Sequence, residues 1–214
     1  MNLWTISLVG TFILALSLAD LAATKFILIG SIVAPGGVFL FSVIFVVRDA
    51  LHKLLGAEFV KQTIMVAAAL NILMALYFFM IARFPAPAFF GMAEPWDQIF
   101  ALAPGIVIGS IIAAISSQLV NTMIYQKIWD QGRPLWQRVI GSNLVSLPID
   151  SILFVLFAFV LLPPLFGASP IELGAVVGRI VSGQTLIKLI IVIIMTPVVY
   201  LVPTNPALER AQRR

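Results

Sequence analysis

Six long apolar stretches, separated by short polar breaks, leave this chain little choice of solvent. They run roughly Trp4–Ala22, Phe26–Val47, Thr63–Ala82, Ile99–Val120 with a continuation toward Trp129, Val139–Leu162 and Val176–Val202. A bilayer's hydrocarbon core is about 30 Å thick and takes about 20 apolar residues of helix to cross, a length the stretches meet. Charged residues make up 10% of the 214 and hydrophobic ones 61%, whereas a soluble domain carries roughly a quarter charged residues. The expectation is an all-α integral membrane protein, a single six-helix transmembrane domain over residues 1–214. The first stretch lacks a basic n-region and a small-x-small cleavage site leading into soluble sequence. It therefore reads as a retained helix rather than a signal peptide.

The net charge of +4 and pI near 9.8 would suit nucleic acid only if the cations shared one soluble face. Instead they fall in the breaks and the tail. Arg48, Lys53, Lys61, Lys127, Arg133, Arg138, Arg210, Arg213 and Arg214 belong to one side, and Lys25, Arg83 and Arg179 to the other. Cytoplasmic loops carry the excess of Lys and Arg, so both termini are expected in the cytoplasm, which fits an even number of spans. The lipid bilayer is the expected partner, nucleic acid is not, and a homo-oligomer is left open.

Several chemistries are missing. The chain has no cysteine, hence no disulfide or thiolate metal site. His52 is the one histidine, so no histidine pair has metal-ligand spacing, and it reads as a solvated residue at a helix end. No glycine loop ending in Lys-Ser/Thr cradles a phosphate, and the buried serines lack a base at their depth. Neither metal nor cofactor is expected, nor an enzyme.

The polar residues inside the stretches carry the functional signal, because a charge at mid-bilayer costs about 3 kcal/mol on insertion scales and faces protein or water when present. Asp150 lies well inside the fifth stretch, and Asn143, Ser146 and Asp150 fall at i, i+3, i+7, on one helix stripe. Gln118, Asn121 and Tyr125 repeat that spacing on the fourth, with Ser117 alongside. Two such stripes of amides, hydroxyls and a carboxylate can line a pocket for a small polar solute, or they can simply hydrogen-bond helix to helix at about 0.6 kcal/mol per contact. Lys188, nearly mid-span in the sixth stretch, is a candidate counter-ion for Asp150. Arg48 and Asp49 close the second stretch and Asp20 the first. Pro35-Gly36-Gly37 interrupts the second stretch and marks a candidate re-entrant turn.

Four segments resemble a known family. "ADLAATKFILIGSIVAPGGVFLFSVIFVVRDALHKLLG" ends a phenylalanine-rich helix in Arg48-Asp49 before Gly56. "SSQLVNTMIYQKIW" and "LWQRVIGSNLVSLPIDSILFVLFAF" carry a Gln-x-x-Asn helix, an Arg-x-x-x-Ser-Asn turn and Asp150. "GQTLIKLIIVIIMTPVVY" carries Lys188 and Pro197. In this order, over roughly Ala19 to Tyr200, they resemble the vitamin uptake transporters, also called queuosine precursor transporters. Two positions depart from the family pattern, which has asparagine where Asp20 stands and aspartate where Asn121 stands.

The resemblance implies uptake of a purine-like small molecule, 7-cyano- or 7-aminomethyl-7-deazaguanine, through a bacterial inner membrane in a multi-pass protein. Asp150 would accept the N–H donors of the guanine-like edge. Gln118 and Asn143 would meet its carbonyl and N7-like side, and Phe41, Phe45 or Phe154 would flank the ring. Asn121, Ser146, Lys188, Arg48, Asp49 and Asp20 complete the candidate site. Alternating access without an ATPase of its own is the expected mode. The alternatives are a substrate-binding membrane subunit of an ATP-driven vitamin uptake complex and a membrane-embedded enzyme.

Overall fold

The computed structural model of the chain describes residues 3–166, 170 and 174–204. Six long helices are α1 Leu3–Ala22, α2 Val38–Leu55, α3 Ala57–Ile81, α4 Ala93–Asp130, α5 Leu135–Val155 and α6 Ala175–Leu201. A π-helical turn, Leu156–Leu161, prolongs α5, and a hairpin of β1 Phe26–Ile29 and β2 Ile32–Pro35 joins α1 to α2.

Among the described residues, five helices are long and apolar enough to cross a membrane: α1, α3, α4, α5 with its extension to Leu161, and α6. Their polarity is inverted relative to a water-soluble bundle. Leu14, Met65, Leu73, Leu76, Ile152 and Ile194 are exposed, while Asp20, Asn71, Gln118, Asn121, Asn143, Asp150 and Lys188 are buried. Monomeric soluble proteins rarely expose apolar surface on this scale; lipid-facing helices must. The chain is a multi-pass membrane protein.

The second stretch departs from expectation. It is not a helix over Phe26–Val47: its first part pairs as an antiparallel hairpin in the register Phe26↔Pro35 and Ile29↔Ile32. Runs of four apolar residues do not reveal whether a strand or a helix forms. The deciding signal is Gly30-Ser31, a two-residue hairpin loop with Gly30 at φ 60°. A two-stranded hairpin is marginal alone, and this one leans on protein. The rings of Phe26 and Phe159 lie 4.8 Å apart, and Gly183 on α6 leaves room for the Val33 carbonyl. The Pro35-Gly36-Gly37 break is the joint between hairpin and α2. A Cβ on Gly37 would stand 2.1 Å from the carbonyl oxygen of Ala19.

Helix α2 continues past Val47 to Leu55 and is buried almost all round, including Arg48, Asp49, His52 and Lys53. A helix enclosed by protein presents no face to lipid, so it can carry charge that an outer helix cannot. Gly56 alone separates α2 from α3, so the expected second loop does not exist. Arg48 and Lys53 are interior helix residues rather than loop cations. Lys53 donates to the carbonyls of Val199, Tyr200 and Val202, where helix α6 ends and its carbonyls lack intrahelical partners. Lys61, Lys127 and Arg133 remain exposed; Arg210, Arg213 and Arg214 lie outside the described residues. His52 is likewise buried, its ring stacked on Tyr125 at 4.4 Å, rather than solvated.

Helix α4 is longer than its apolar stretch at both ends. Its 38 residues make about 57 Å at 1.5 Å per residue, well beyond a hydrocarbon core of about 30 Å. Close approach to the α5 extension depends on Gly109, where a Cβ would meet the backbone nitrogen of Ala158 at 2.7 Å. Small residues let membrane helices approach in this way. Gly109→Ala is therefore expected to lower stability by about 1–3 kcal/mol, the usual cost of overpacking, in a detergent unfolding titration. Gly10→Ala, with nothing within 4 Å of the added carbon, should leave the midpoint unchanged.

Candidate functional site

The polar side chains of the interior hang on one face of α4. From Ser110 through Ser117, Gln118 and Asn121 to Tyr125 they recur at helical spacing, all buried. Ser110 contacts α1, Ser117 and Asn121 contact α5, and Tyr125 contacts α2, which divides the interior into levels.

At the central level Asp150 of α5 binds Lys188 of α6 at 2.6 Å and accepts from Ser117 Oγ at 2.8 Å. Both partners of the ion pair are buried, with side-chain exposures of 4% and 0%. Lys188 also reaches Ser151 Oγ at 3.5 Å, and Gln184 one turn earlier donates to the Ser151 carbonyl. The Lys188 ammonium stands 5.5 Å from the Phe41 ring centroid, and Phe41 packs on Phe154 at 5.5 Å.

One level along α4, Arg48 and Asp49 form a second buried pair at 2.7 Å. Asn143 joins it to the rest. Its Nδ2 donates to Asp49 Oδ2 at 2.8 Å, and its Oδ1 accepts from Arg48 Nη2 and Asn121 Nδ2, both at 3.1 Å. Asn121 Nδ2 also donates to Ser146 Oγ at 2.9 Å. Arg48 lies 4.8 Å over the Phe45 ring. Buried pairs are tolerable only when further hydrogen bonds satisfy the ions, and Asn143 supplies one to each partner.

A carboxylate alone occupies the opposite level. Asp20 of α1 accepts from Asn71 Nδ2 of α3 and from Ser110 Oγ of α4. At the far end of α4, His52 and Gln126 share a hydrogen bond of 2.9 Å, and Gln126 donates to Asp130.

The structure thus places Arg48, Asp49, Asn143, Asn121 and Ser146 in one buried network and Asp150, Lys188 and Ser117 in a second at the neighbouring level, with Gln118 on the same α4 face; the two levels together make a buried polar layer. Asp20 stands apart from them. The two stripes of α4 and α5 face each other, but bonded rather than separated by an open pocket. Three buried polar atoms of this layer, Arg48 Nη1, Gln118 Oε1 and Asn121 Oδ1, have no hydrogen-bond partner among the described residues. Leaving such groups unmade costs about 1–3 kcal/mol each. A cleft of about 500 Å³ between the start of α3 and the end of α4, lined by Lys61, Gln126 and Lys127, reaches Thr122, the neighbour of Asn121.

Sequence reasoning missed Ser110, Ser151, Gln184 and Gln126. Ser110 was within reach, since Ser110, Ser117 and Asn121 extend the α4 stripe at i, i+7, i+11. Ser151 and Gln184 bind through a backbone carbonyl and a neighbouring helix, which no spacing reveals.

Spanning helices around a charged interior define a membrane protein built to accommodate polar groups, and comparison with known proteins agrees. The family model described as "Putative vitamin uptake transporter" matches residues 35–202, and the chain belongs to that family. A "Probable queuosine precursor transporter" of Bacillus subtilis (strain 168) is 26% identical over 146 residues, covering 66% of this chain and 63% of the relative. The match therefore spans less than two thirds of that relative's length. No solved structure matches the chain.

The ion pair at the central level makes a sharp expectation. Lys188→Met and Asp150→Asn should each destabilise by about 3–5 kcal/mol, because each leaves a buried group unpaired. The double substitution should recover much of that loss in a double-mutant cycle of detergent unfolding. Additive losses would show that the two side chains do not depend on each other.

Proposed function

We propose that this protein is an inner-membrane uptake transporter for a purine-like solute of the 7-deazaguanine class, working by alternating access without an ATPase of its own. The observation that carries the reading is the polar layer. Two carboxylates are each held by their own cation, Asn143 and Asn121 tie the Arg48–Asp49 pair to α5 and α4, and the amide oxygens of Gln118 and Asn121 have no hydrogen-bond partner among the described residues. A guanine-like edge offers N–H donors to Asp150 and to those acceptors. Its carbonyl can receive from Arg48, whose Nη1 is unpaired, or from Lys188. Phe41, Phe45 and Phe154 supply the flat apolar walls that a heterocycle needs.

In the closed arrangement the internal ions satisfy one another. A solute that supplies donors to Asp150 takes over part of the role of Lys188, which lowers the cost of separating α5 from α6. Binding then favours a different helix arrangement, and a ligand moves such an equilibrium only by its differential contacts with the two states. The cleft that reaches Thr122 fits a path from the layer to the aqueous face near Lys61 and Lys127. The relative's printed name supports the substrate class.

Radiolabelled 7-deazaguanine precursor should accumulate in cells lacking their own transporter when this protein is expressed, and Asp150→Asn at matched expression should abolish uptake. If the wild type gives none, the deazaguanine assignment fails and other nucleobases and vitamins become the next solutes to assay.

Both termini belong in the cytoplasm on this reading, with the enclosed α2 as the sixth crossing and the turn between α3 and α4 outside. The natural absence of cysteine makes this simple to check. An impermeant maleimide should label Ala88→Cys in intact cells and Gln131→Cys only after permeabilisation. The reverse pattern would invert the protein.

A further inference from the structure

We propose that Asp20 is a proton-binding site that couples solute uptake to proton entry. The inference rests on the uptake reading above and adds the coupling ion.

Among the described residues three carboxylates lie inside the bundle, and two of them hold a cation. Asp49 has Arg48 at 2.7 Å and Asp150 has Lys188 at 2.6 Å. Asp20, 2% exposed, has no ion pair among the described residues; its donors are the neutral Asn71 and Ser110. Ser17 Oγ donates to Asn71 Oδ1 at 3.0 Å, which holds the amide with its Nδ2 toward Asp20. Both donors converge on Oδ2, and Oδ1 has no hydrogen-bond partner. Oδ2 accepts as a carbonyl oxygen would, and Oδ1 is the oxygen left open to take a proton.

The charges on every helix around it support that assignment. Ser110, which donates to Asp20, and Ser117, which donates to Asp150, stand seven residues apart on α4, about 10 Å, and in this arrangement Lys188 of α6 neutralises Asp150. On α2, Arg48 and Asp49 lie eleven residues or more beyond Gly37, which touches Ala19, or about 16 Å along the helix. On α3, Glu58 and Lys61 stand ten or more residues from Asn71, and on α4, Glu94, Asp97, Lys127 and Asp130 stand thirteen or more from Ser110, about 15 Å or farther. Lys25, in the turn that follows α1, is exposed, and among the described residues no cation pairs with Asp20 as Lys188 pairs with Asp150.

The same geometry couples the two sites. While Lys188 neutralises Asp150, Asp20 feels little of its charge. When solute binding draws Lys188 away, the repulsion between Asp150 and Asp20 grows, and a proton on Asp20 removes it. Solute and proton therefore favour each other's binding by equal factors, as linkage requires. The step is balanced. One proton from the outer aqueous phase forms an O–H bond at Asp20 Oδ1, the same bond breaks on the inner side, and no other bond changes.

The test uses the full chain in proteoliposomes with labelled 7-cyano-7-deazaguanine as probe, under an imposed pH gradient (acid outside) and in exchange without a gradient. In the wild type the gradient should raise accumulation several-fold. Asp20→Asn should still exchange the probe but lose that stimulation. Asp20→Glu, which keeps a titrating carboxyl, should retain it and guards against a folding defect. Stimulation that survives in Asp20→Asn overturns the proton site and leaves the transport reading intact. A wild type that neither exchanges nor accumulates the probe overturns the transport reading instead. Infrared difference spectra on acidification then decide the site without any solute. A carboxyl band present in the wild type and missing from Asp20→Asn supports it, and an unchanged band overturns it.

Discussion

Lipid offers a buried charge neither a counter-ion nor a hydrogen bond, so every ionised group inside this bundle must find its compensation within the protein. That requirement organises the molecule. Asp150 on α5 needs Lys188 on α6, and the Arg48–Asp49 pair on α2 is tied through Asn143 to α5 and through Asn121 to α4. Between helices whose outer faces are as apolar as the lipid itself, such polar contacts and close van der Waals packing are the forces that select neighbours. Each polar level therefore specifies which helices meet and in what register.

Helix α4 is the common partner. Ser110 addresses α1, Ser117 and Asn121 address α5, and Gln126 addresses the end of α2. Its length carries this one polar face from level to level, and Gly109 lets it lie close enough to the α5 extension for the contacts to form. On the other side, α2 is sheltered from lipid by its neighbours, which is why the most charged of the central segments can occupy the centre. The hairpin before it fits the same logic. It takes less depth than a helix of equal length would, and it packs against Phe159 and Gly183 rather than standing free.

A layer in which the ions satisfy one another is stable without solute yet held by exchangeable bonds. Breaking one buried pair outright is expensive, but replacing one partner by a solute with matching donors is not. That difference separates a structural strut from a site that can open. The contrast between the paired Asp49 and Asp150 and the unpaired Asp20 divides the interior further, and we assign a solute to the first part and a proton to the second.

The sequence by itself determined the solvent and the cast of the interior. Runs of about 20 apolar residues require a bilayer, and the cost of charge at depth singled out Asp150, Lys188, Asn143, Asn121 and Asp20 because such residues persist only where protein surrounds them. The i, i+3, i+7 spacing placed the α4 and α5 groups on single stripes, since helical geometry is local. Tertiary structure alone decided the rest. Gly30-Ser31 makes a hairpin rather than part of a helix because Phe159 and Gly183, far along the chain, receive it. Arg48, His52 and Lys53 read as a solvated helix end, yet they are interior, because α4 and the end of α6 cover them. Which carboxylate holds a cation and which does not is likewise a matter of what stands opposite in space, and no periodicity along one chain encodes the distance between two helices.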